Sequence, residues 1–172
     1  MNKYWLIIFI SLLALLGRFL PHLPNFSPLY AILIFSGAYA FRMRWAFLPL
    51  LALLLSDMFL GFYAWPIMLS VYLSLTANIF IGRTLKKNLS AMGVLNASLL
   101  SALLFFIVTN TAVWYFGTWY SHDLAGLMSC YTLAIPFFKT TLISTMLYSG
   151  LMFGAYEGIV LAQKLARKKI TN

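Results

Sequence analysis

The chain alternates long apolar runs with short stretches that hold its prolines and most of its charges. A helix that crosses a bilayer needs about 20 mostly apolar residues, with about 17 as the lower limit. The sequence shows neither strand-like alternation nor a repeat of fixed period. This pattern predicts an all-α integral membrane protein, a six-transmembrane-helix bundle in a single domain covering residues 1–172. The predicted spans are 4–20, 28–42, 45–62, 66–82, 92–116 and 137–165.

Prolines and charges set the ends of these spans. Pro21 ends the first span, because proline cannot continue a helix. Ser27 is a suitable N-cap for the second, with Pro28 at the first helical position. The second span is short, so we expect Arg42 to belong to it and to snorkel to the interface. Residues 117–136 are apolar but interrupted, and we expect them to lie on the membrane surface or to fold into the protein.

Composition narrows the class of protein. Of the 172 residues, 63% are hydrophobic and 9% are charged, and the mean hydropathy is +0.91. A soluble domain carries roughly a quarter of its residues as charges. The composition therefore excludes a cytosolic enzyme and a disordered chain. Cys130 is the sole cysteine, which excludes an internal disulfide framework and a multi-cysteine metal cluster.

The net charge of +9 is explained by topology rather than by nucleic acid. With six spans both termini lie on one side, and ten of the twelve basic residues share that side. The positive-inside rule makes it the cytoplasmic face. We therefore expect a multi-pass protein of the bacterial inner (plasma) membrane with cytoplasmic termini. The ten residues are Lys3, Arg42, Arg44, Arg83, Lys86, Lys87, Lys164, Arg167, Lys168 and Lys169.

The remaining polar residues gather toward the predicted outer side. Charged groups inside a span are costly and usually face an interior cavity or a partner. We therefore predict a mixed polar substrate pocket in the outer third, where aromatic side chains stack on a ring system. The candidate substrate-binding residues are Arg18, Asp57, Asn110, Trp114 and Lys139 in the spans, and His22, Asn25, His122 and Cys130 in the outer loops.

Each candidate also has a purely structural interpretation. Arg18 and Lys139 can snorkel to the outer headgroups, and Asp57 can pair with either of them. Asn110 can join two helices by hydrogen bonding. Trp114 can belong to an interfacial aromatic belt. Two histidines and one cysteine far apart in sequence are a weak metal signal, so no metal ligand is assigned.

The inner half of the bundle carries one isolated acid and several small residues. Glu157 lies in the sixth span and is expected to pair with a cytoplasmic base such as Arg83 or Lys164, with proton coupling as the alternative. Small residues let helices approach closely. Those expected to do so are Ser36, Gly37, Ala38, Ala40, Gly150 and Gly154.

The sequence lacks the motifs of the common membrane enzymes. No serine lies between glycines as a hydrolase nucleophile would, and three scattered acids do not provide a metal site for phosphoryl transfer. There is no P-loop and no dinucleotide-binding glycine pattern. We therefore expect a protein that is not an enzyme, with no catalytic residue and no cofactor. If it pumps, the ATPase must be another chain.

A set of residues spread over most of the chain resembles an uncharacterised bacterial family of small transport proteins. That family is similar to the S components of energy-coupling-factor (ECF) vitamin transporters, which are six-helix substrate-binding membrane proteins. The runs PNFSP and IPFFK are its most distinctive parts. The matching positions are Arg18, Pro21, His22, 24–28, Phe35, Gly37, Ala38, Ser56, Asp57, Gly61, Phe105, Phe106, Thr109, Asn110, Trp114, Gly126, Leu127, Cys130, Tyr131, 135–138 and Tyr148.

The resemblance implies a function and partners. S components bind a vitamin or related small molecule near the outer surface, with loops closing over it, and work with a coupling subunit and paired ATPases. The loop PHLPNFSP would then be a lid, and its prolines reduce the entropy lost when it orders. Some solitary S-component-like proteins carry cobalamin with a cysteine as cobalt ligand, and Cys130 invites that comparison.

The expected function is uptake of a vitamin-like small molecule by a substrate-binding subunit or a solitary carrier. One alternative is a non-transporting membrane scaffold or assembly protein, whose polar groups only lock helices together. A further alternative is a membrane enzyme that uses Cys130 as a thiol nucleophile with His122 as its base. The expected partners are the small-molecule substrate, the lipid bilayer and the ECF subunits, and no nucleic acid.

Overall fold

The computed structural model describes residues 24–40, 42–87 and 89–171, together with Ile8, Phe9 and Leu12. Within these residues every regular element is a helix and there is no strand, which confirms the all-α prediction for this part of the chain. The helices are α1 (Leu29–Tyr39), α2 (Met43–Ala46), α3 (Leu48–Leu60), α4 (Trp65–Leu85), α5 (Ala91–Phe116) and α6 (Leu124–Thr171).

Four helical segments of the described chain are long and apolar enough to cross a membrane. They are Met43–Leu60, which joins α2 and α3, then α4, α5 and the part of α6 from Leu124 to Lys168. The predicted spans 45–62, 66–82 and 92–116 agree with three of them to within three residues. The predicted span 4–20 lies outside the described residues except for Ile8, Phe9 and Leu12. These helices are consistent with a membrane protein, and a count of six spans is not confirmed.

The second predicted span, 28–42, is wrong in length. Helix α1 has 11 residues, about 16 Å at 1.5 Å per residue, whereas the hydrocarbon core is about 30 Å thick. The backbone becomes extended at Ala40, and Arg42 is the exposed N-cap residue of α2. All residues from Tyr30 to Ala38 are buried. Helix α1 is therefore a core helix enclosed by its neighbours, because an apolar run does not reveal whether lipid or protein surrounds it.

Two glycines set the crossing of α1 and α4. A Cβ atom added at Gly37 would lie 2.0 Å from the carbonyl oxygen of Ile79, and one added at Gly82 would lie 2.0 Å from that of Ile34. The two backbones are thus too close for any side chain between them. This confirms the predicted close packing at Gly37. The Arg83 guanidinium reinforces the crossing, since its Nη1 donates to the Ala40 carbonyl oxygen at 3.2 Å.

Predicted close packing at Gly150 and Gly154 is wrong for the described residues. A Cβ atom added at either position meets nothing within 4 Å. These glycines instead border an open groove on α6.

Helix α6 begins 13 residues earlier than predicted and has 48 residues. Only residues 117–123 separate it from α5, so residues 124–136, which were expected to lie on the membrane surface or to fold into the protein ahead of the last span, are the first part of α6. Residues Ser129 and Thr132 bond to carbonyl oxygens one turn back, those of Ala125 and Met128. Such bonds let polar residues continue an apolar helix. Pro136 also lies inside α6, which neighbouring contacts allow in membrane helices.

Helices α5 and α6 are antiparallel and pack along most of the length of α5. Phe106 contacts Phe138 near the middle, with ring centroids 4.9 Å apart. Val94, near the beginning of α5, shares a buried cluster with Leu85 and Phe153. Because Leu85 ends α4, this cluster lies beside the place where α4 is followed by α5.

Candidate functional site

A small cavity lies between the middle of α5 and the first half of α6. Its volume is about 120 Å³. Phe105, one of its lining residues, lies about 21 Å along α5 from Ala91 and about 17 Å from Phe116. The described lining on α5 runs from Ala102 to Asn110, about 9–21 Å along the helix from Phe116. The described lining residues are Asn25, Ala102, Phe105, Phe106, Thr109, Asn110, Ala134, Phe137, Phe138 and Thr141.

The lining combines aromatic rings with neutral hydrogen-bonding groups. Four phenylalanines supply apolar faces, and two asparagines and two threonines supply the polar atoms. No charged residue belongs to the described lining. A ligand in this cavity would be recognised by stacking and neutral hydrogen bonds rather than by ion pairing.

Asn110 and Thr109 are oriented by their own helix. The Asn110 Nδ2 donates to the Phe106 carbonyl oxygen at 2.7 Å, and the Thr109 hydroxyl donates to that of Phe105 at 2.8 Å. Asn110 thus makes no side-chain bond to another helix among the described residues, which argues against its role as interhelical glue. One amide N–H is engaged, and the amide oxygen has no donor among the described residues.

A loop preceding α1 covers the middle of α6. Asn25 has a φ of 60°, a left-handed conformation that asparagine tolerates better than most residues. Its carbonyl oxygen lies 3.5 Å from the Ser144 hydroxyl, and Phe26 meets Tyr148 edge to face at 5.8 Å. The Ser27 hydroxyl accepts a hydrogen bond from the Leu29 amide at 3.2 Å. These are the described contacts of the loop, and they place it directly beside the cavity.

The amino-terminal end of α1 also lies beside the cavity. Tyr30 packs edge to face on Phe105, with ring centroids 5.0 Å apart, and Phe105 is part of the lining. No residue of α1 belongs to the described lining, so α1 borders the cavity through the packing of Tyr30 on Phe105.

Cys130 lies on α6 rather than in an outer loop, so its predicted location is wrong. It is buried, and its Sγ lies 3.5 Å from the carbonyl oxygen of Asn110. The thiol is one helical turn from Ala134 in the cavity lining. Among the described residues, no group of three His, Cys, Asp or Glu side chains could hold a metal ion.

Trp114, in the last turn of α5, and His122, in the loop 117–123, contact each other where the two helices are connected. The Trp114 Nε1 donates to the Ser121 carbonyl oxygen at 2.9 Å. His122 is exposed, with its Nε2 3.2 Å from the Gly117 carbonyl oxygen and its ring 6.1 Å from that of Trp114. These contacts fix the short loop 117–123. Neither side chain lines the cavity.

Asp123 ends this loop and caps α6. Its Oδ1 accepts from the Gly126 amide at 2.7 Å and from the Ser121 hydroxyl at 2.8 Å. These hydrogen bonds lower the pKa of the Asp123 carboxyl, and the bond from the Gly126 amide has the largest effect. Because the folded-state pKa lies below the unfolded value, the stabilisation is present above the ordinary aspartate pKa and is lost as pH falls through the lowered one.

The other predicted residues are apart from the cavity or outside the described chain. Asp57 is buried near the end of α3 and accepts a hydrogen bond from the Tyr72 hydroxyl at 2.7 Å. Lys139 is exposed on α6. Neither lines the cavity. Arg18 and His22 lie outside the described residues. Of the nine candidates, the structure brings together Asn25, Asn110 and Cys130.

The sequence analysis missed the aromatic and threonine residues of the lining. Positions 102, 105, 106 and 109 on α5, and 134, 137, 138 and 141 on α6, each follow the spacing of one helix face. That spacing was readable from the sequence. The sequence alone is equally compatible with phenylalanines that contact lipid and phenylalanines that line a cavity. The two roles are distinguished only once the structure shows which faces of α5 and α6 pack against each other.

Glu157 has a different partner from the one predicted. Among the described residues its carboxylate accepts a hydrogen bond from the Tyr39 hydroxyl, whereas Arg83 donates to the Ala40 carbonyl oxygen. The predicted pairing with Arg83 or Lys164 is wrong for this structure. Tyr39 is placed by its ring contacts with Phe35 and Tyr156.

Comparisons with known proteins place the chain in a family without assigning an activity. Neither the curated proteins nor the solved structures contain a match. A family model, described as a family of unknown function, matches residues 1–168. The chain therefore belongs to the family DUF6580.

Proposed function

We propose that this protein is a substrate-binding membrane carrier, similar to the S components of ECF transporters, for a vitamin-like small molecule. The observation that carries the proposal is the cavity between α5 and α6, where aromatic and neutral polar groups converge inside an otherwise apolar bundle. In a membrane helix, buried polar groups usually mark a binding site or pathway. The proposal includes a bacterial plasma-membrane location with substrate entering from the outer side.

The cavity chemistry narrows the class of substrate. Phe105 and Phe137 offer apolar faces, and Asn110 offers an acceptor and a donor in one plane. A planar heteroaromatic compound with an adjacent amide or carbonyl group satisfies both features. The described part of the lining is uncharged and therefore favours a neutral molecule, since an ion would lose its hydration without a compensating partner there.

Binding such a molecule requires the cavity to enlarge. Its volume of about 120 Å³ is below the roughly 300–1,000 Å³ of typical ligand sites. The loop at residues 24–28 is the element that we propose to move, because its contacts to α6 among the described residues are a long hydroxyl contact and one ring pair. We propose that this loop moves aside for the substrate and closes over it.

A thermal-shift screen of the purified full-length protein tests the proposal. A ligand that binds only the folded state at 100 times its Kd adds about 2.7 kcal/mol of stability, which is about 5–10 °C in Tm for a chain of this size. One member of a vitamin panel should give such a shift. The mass and absorption spectrum of any co-purifying compound should identify the same class, and a corrinoid would be visible by its colour.

Two variants on α5 localise the binding. Asn110→Leu should abolish the ligand-induced shift, because it removes the amide that faces the cavity. Thr111→Val is the matched control, since Thr111 is exposed and contacts Tyr131 outside the lining. A panel that shifts neither the wild type nor any variant would favour the scaffold alternative. An equal shift in wild type and Asn110→Leu would refute this location of the site.

The thiol-enzyme alternative receives less support from the geometry. Cys130 faces the backbone of Asn110, whereas His122 contacts the backbone of Gly117. A general base must come within hydrogen-bond reach of its nucleophile. Cys130→Ser should therefore leave ligand binding intact unless the thiol itself contacts the ligand.

A further inference from the structure

A second and larger concavity lies at the other end of the α5–α6 pair, close to the end of α4. Its volume is about 460 Å³, within the range of small-molecule sites. It runs between the beginning of α5 and the second half of α6. The lining residues are Leu89, Ser90, Ala91, Val94, Leu95, Gly150, Phe153, Gly154 and Glu157. We call it the inner groove.

The floor of the inner groove is apolar and open. Gly150 and Gly154 contribute no side chains, and an added Cβ atom at either would meet nothing within 4 Å. Val94 and Phe153 supply apolar walls. The volume and the apolar floor of the groove therefore suit a flexible hydrocarbon chain.

The same face of α6 turns basic beyond the groove. Positions 150, 154, 157, 161, 164 and 168 recur every three or four residues and so form one stripe along the helix. Lys164 lies two turns past Glu157, about 10 Å further along α6, and it is exposed. Lys168 follows one turn later on the same stripe. An apolar section thus leads directly into a cationic one.

A second source of positive charge borders the groove from the opposite wall. Lys86 and Lys87 are exposed in the turn that leads to Leu89 and Ser90. The beginning of α5 adds the partial positive charge of a helix amino terminus. Glu157 is the one acid in the described lining, and it is held by the Tyr39 hydroxyl. Four lysines against one carboxylate leave the rim cationic.

We infer that the inner groove binds one anionic phospholipid, with an acyl chain along Gly150 and Gly154 and the phosphate between the lysines of the two walls. Charge complementarity favours a phosphate headgroup, and the apolar floor favours its chain. The bilayer supplies this occupant, because the groove is formed by helices long and apolar enough to lie in it. A soluble anion would leave the apolar floor unfilled.

Native mass spectrometry of the full-length protein tests this inference. The protein is reconstituted in nanodiscs of phosphatidylcholine with phosphatidylglycerol, released into mild detergent, and scored for retained lipid. One phosphatidylglycerol should remain bound in preference to phosphatidylcholine. Removing one rim charge near the surface should reduce that preference about fivefold. Lys164→Gln is the charge variant, and Lys139→Gln is its control on the same helix away from the groove.

A second pair of variants tests the apolar half of the site. Gly154→Leu should fill the groove and lose the retained lipid, whereas Gly158→Leu should retain it, because both positions have open space but only Gly154 lines the groove. Circular dichroism and size-exclusion chromatography confirm that each variant is folded. Equal retention of the two lipids by the wild type would overturn the inference. The inference would also be overturned if Gly154→Leu retained as much phosphatidylglycerol as the wild type. The same holds if that variant differed from the wild type only in its oligomeric state.

Discussion

The close crossing of α1 and α4 makes Gly82→Ala a direct test of the packing. The added methyl group would lie 2.0 Å from the Ile34 carbonyl oxygen, 2.7 Å from its carbonyl carbon and 2.8 Å from its Cα atom. Real Cβ contacts are essentially never shorter than 3.0 Å. All three atoms are backbone, so no side-chain rotation relieves the clash. The two helices must separate by about 1 Å.

Two opposing terms set the size of the effect. Overpacking of a close-packed interior costs about 1–3 kcal/mol, and the rigid backbone neighbours place this site at the upper end. Alanine is favoured over glycine inside a helix by up to about 1 kcal/mol. We therefore expect a net loss of about 2 kcal/mol, which lowers Tm by about 4–8 °C in a chain of this size.

The matched control is Gly158→Ala on α6. An added Cβ atom there meets nothing within 4 Å, so only the propensity term applies and Tm should rise by a few degrees. Thermal unfolding followed by circular dichroism at 222 nm in one detergent measures both. Equal Tm values for Gly82→Ala and Gly158→Ala would refute the crossing geometry. Gly37→Ala should repeat the loss, and the double variant should cost less than the sum, because the first separation relieves the second clash.

Three further predictions follow from single hydrogen bonds. Tyr72→Phe should lower stability by about 2 kcal/mol, because the buried Asp57 carboxylate loses a donor, and chemical denaturation in mixed micelles measures the loss. Arg83→Gln should cost about 1 kcal/mol by removing the donor to the Ala40 carbonyl oxygen, visible as a lower Tm and as faster hydrogen exchange in α1. Below about pH 4 the wild type should lose the stabilisation from ionised Asp123, whereas Asp123→Asn, which keeps a capping side chain, should show a flatter Tm profile between pH 6 and pH 3. Parallel pH profiles for these two proteins would contradict the capping interpretation.

The sequence predicted α4 and α5 well because strong local signals bound them. A proline lies in the first turn of α4, and the lysines after Leu85 end its apolar run. Ser90 is the N-cap of α5, accepting from the Gly93 amide at 3.0 Å. Such signals act within one turn of the helix end, so they are visible without tertiary structure.

The beginning of α6 and the length of α1 could not be predicted in this way. Gly126, Ser129 and Pro136 resemble helix breakers, yet the surroundings of α6 accommodate all three. The burial of α1 depends on α4, α5 and α6, which are distant in sequence. Local propensity is a weak prior that tertiary contacts override.

The candidate site was predictable only in part. Asn25 and Asn110 stood out as polar residues in apolar surroundings, and both line the cavity. Cys130 was singled out but assigned to a loop. Asp57 attracted attention for its charge, yet its described partner is Tyr72 on α4. Polar residues could therefore be selected from the sequence because they are rare in this bundle. The sequence did not show which of them line the same cavity.

The short α1 has a consequence for biosynthesis. It leaves the ribosome early, but its partners include Glu157, which is 118 residues further along the chain than Tyr39. At about 5–20 residues per second, synthesis of that interval takes roughly 6–24 s. During this time an 11-residue apolar segment, too short to cross the bilayer alone, must wait for α4 and α6 before it is enclosed. A chain truncated after α5 should therefore expose α1 to chaperones and proteases, and completion of α6 should be the step that protects it.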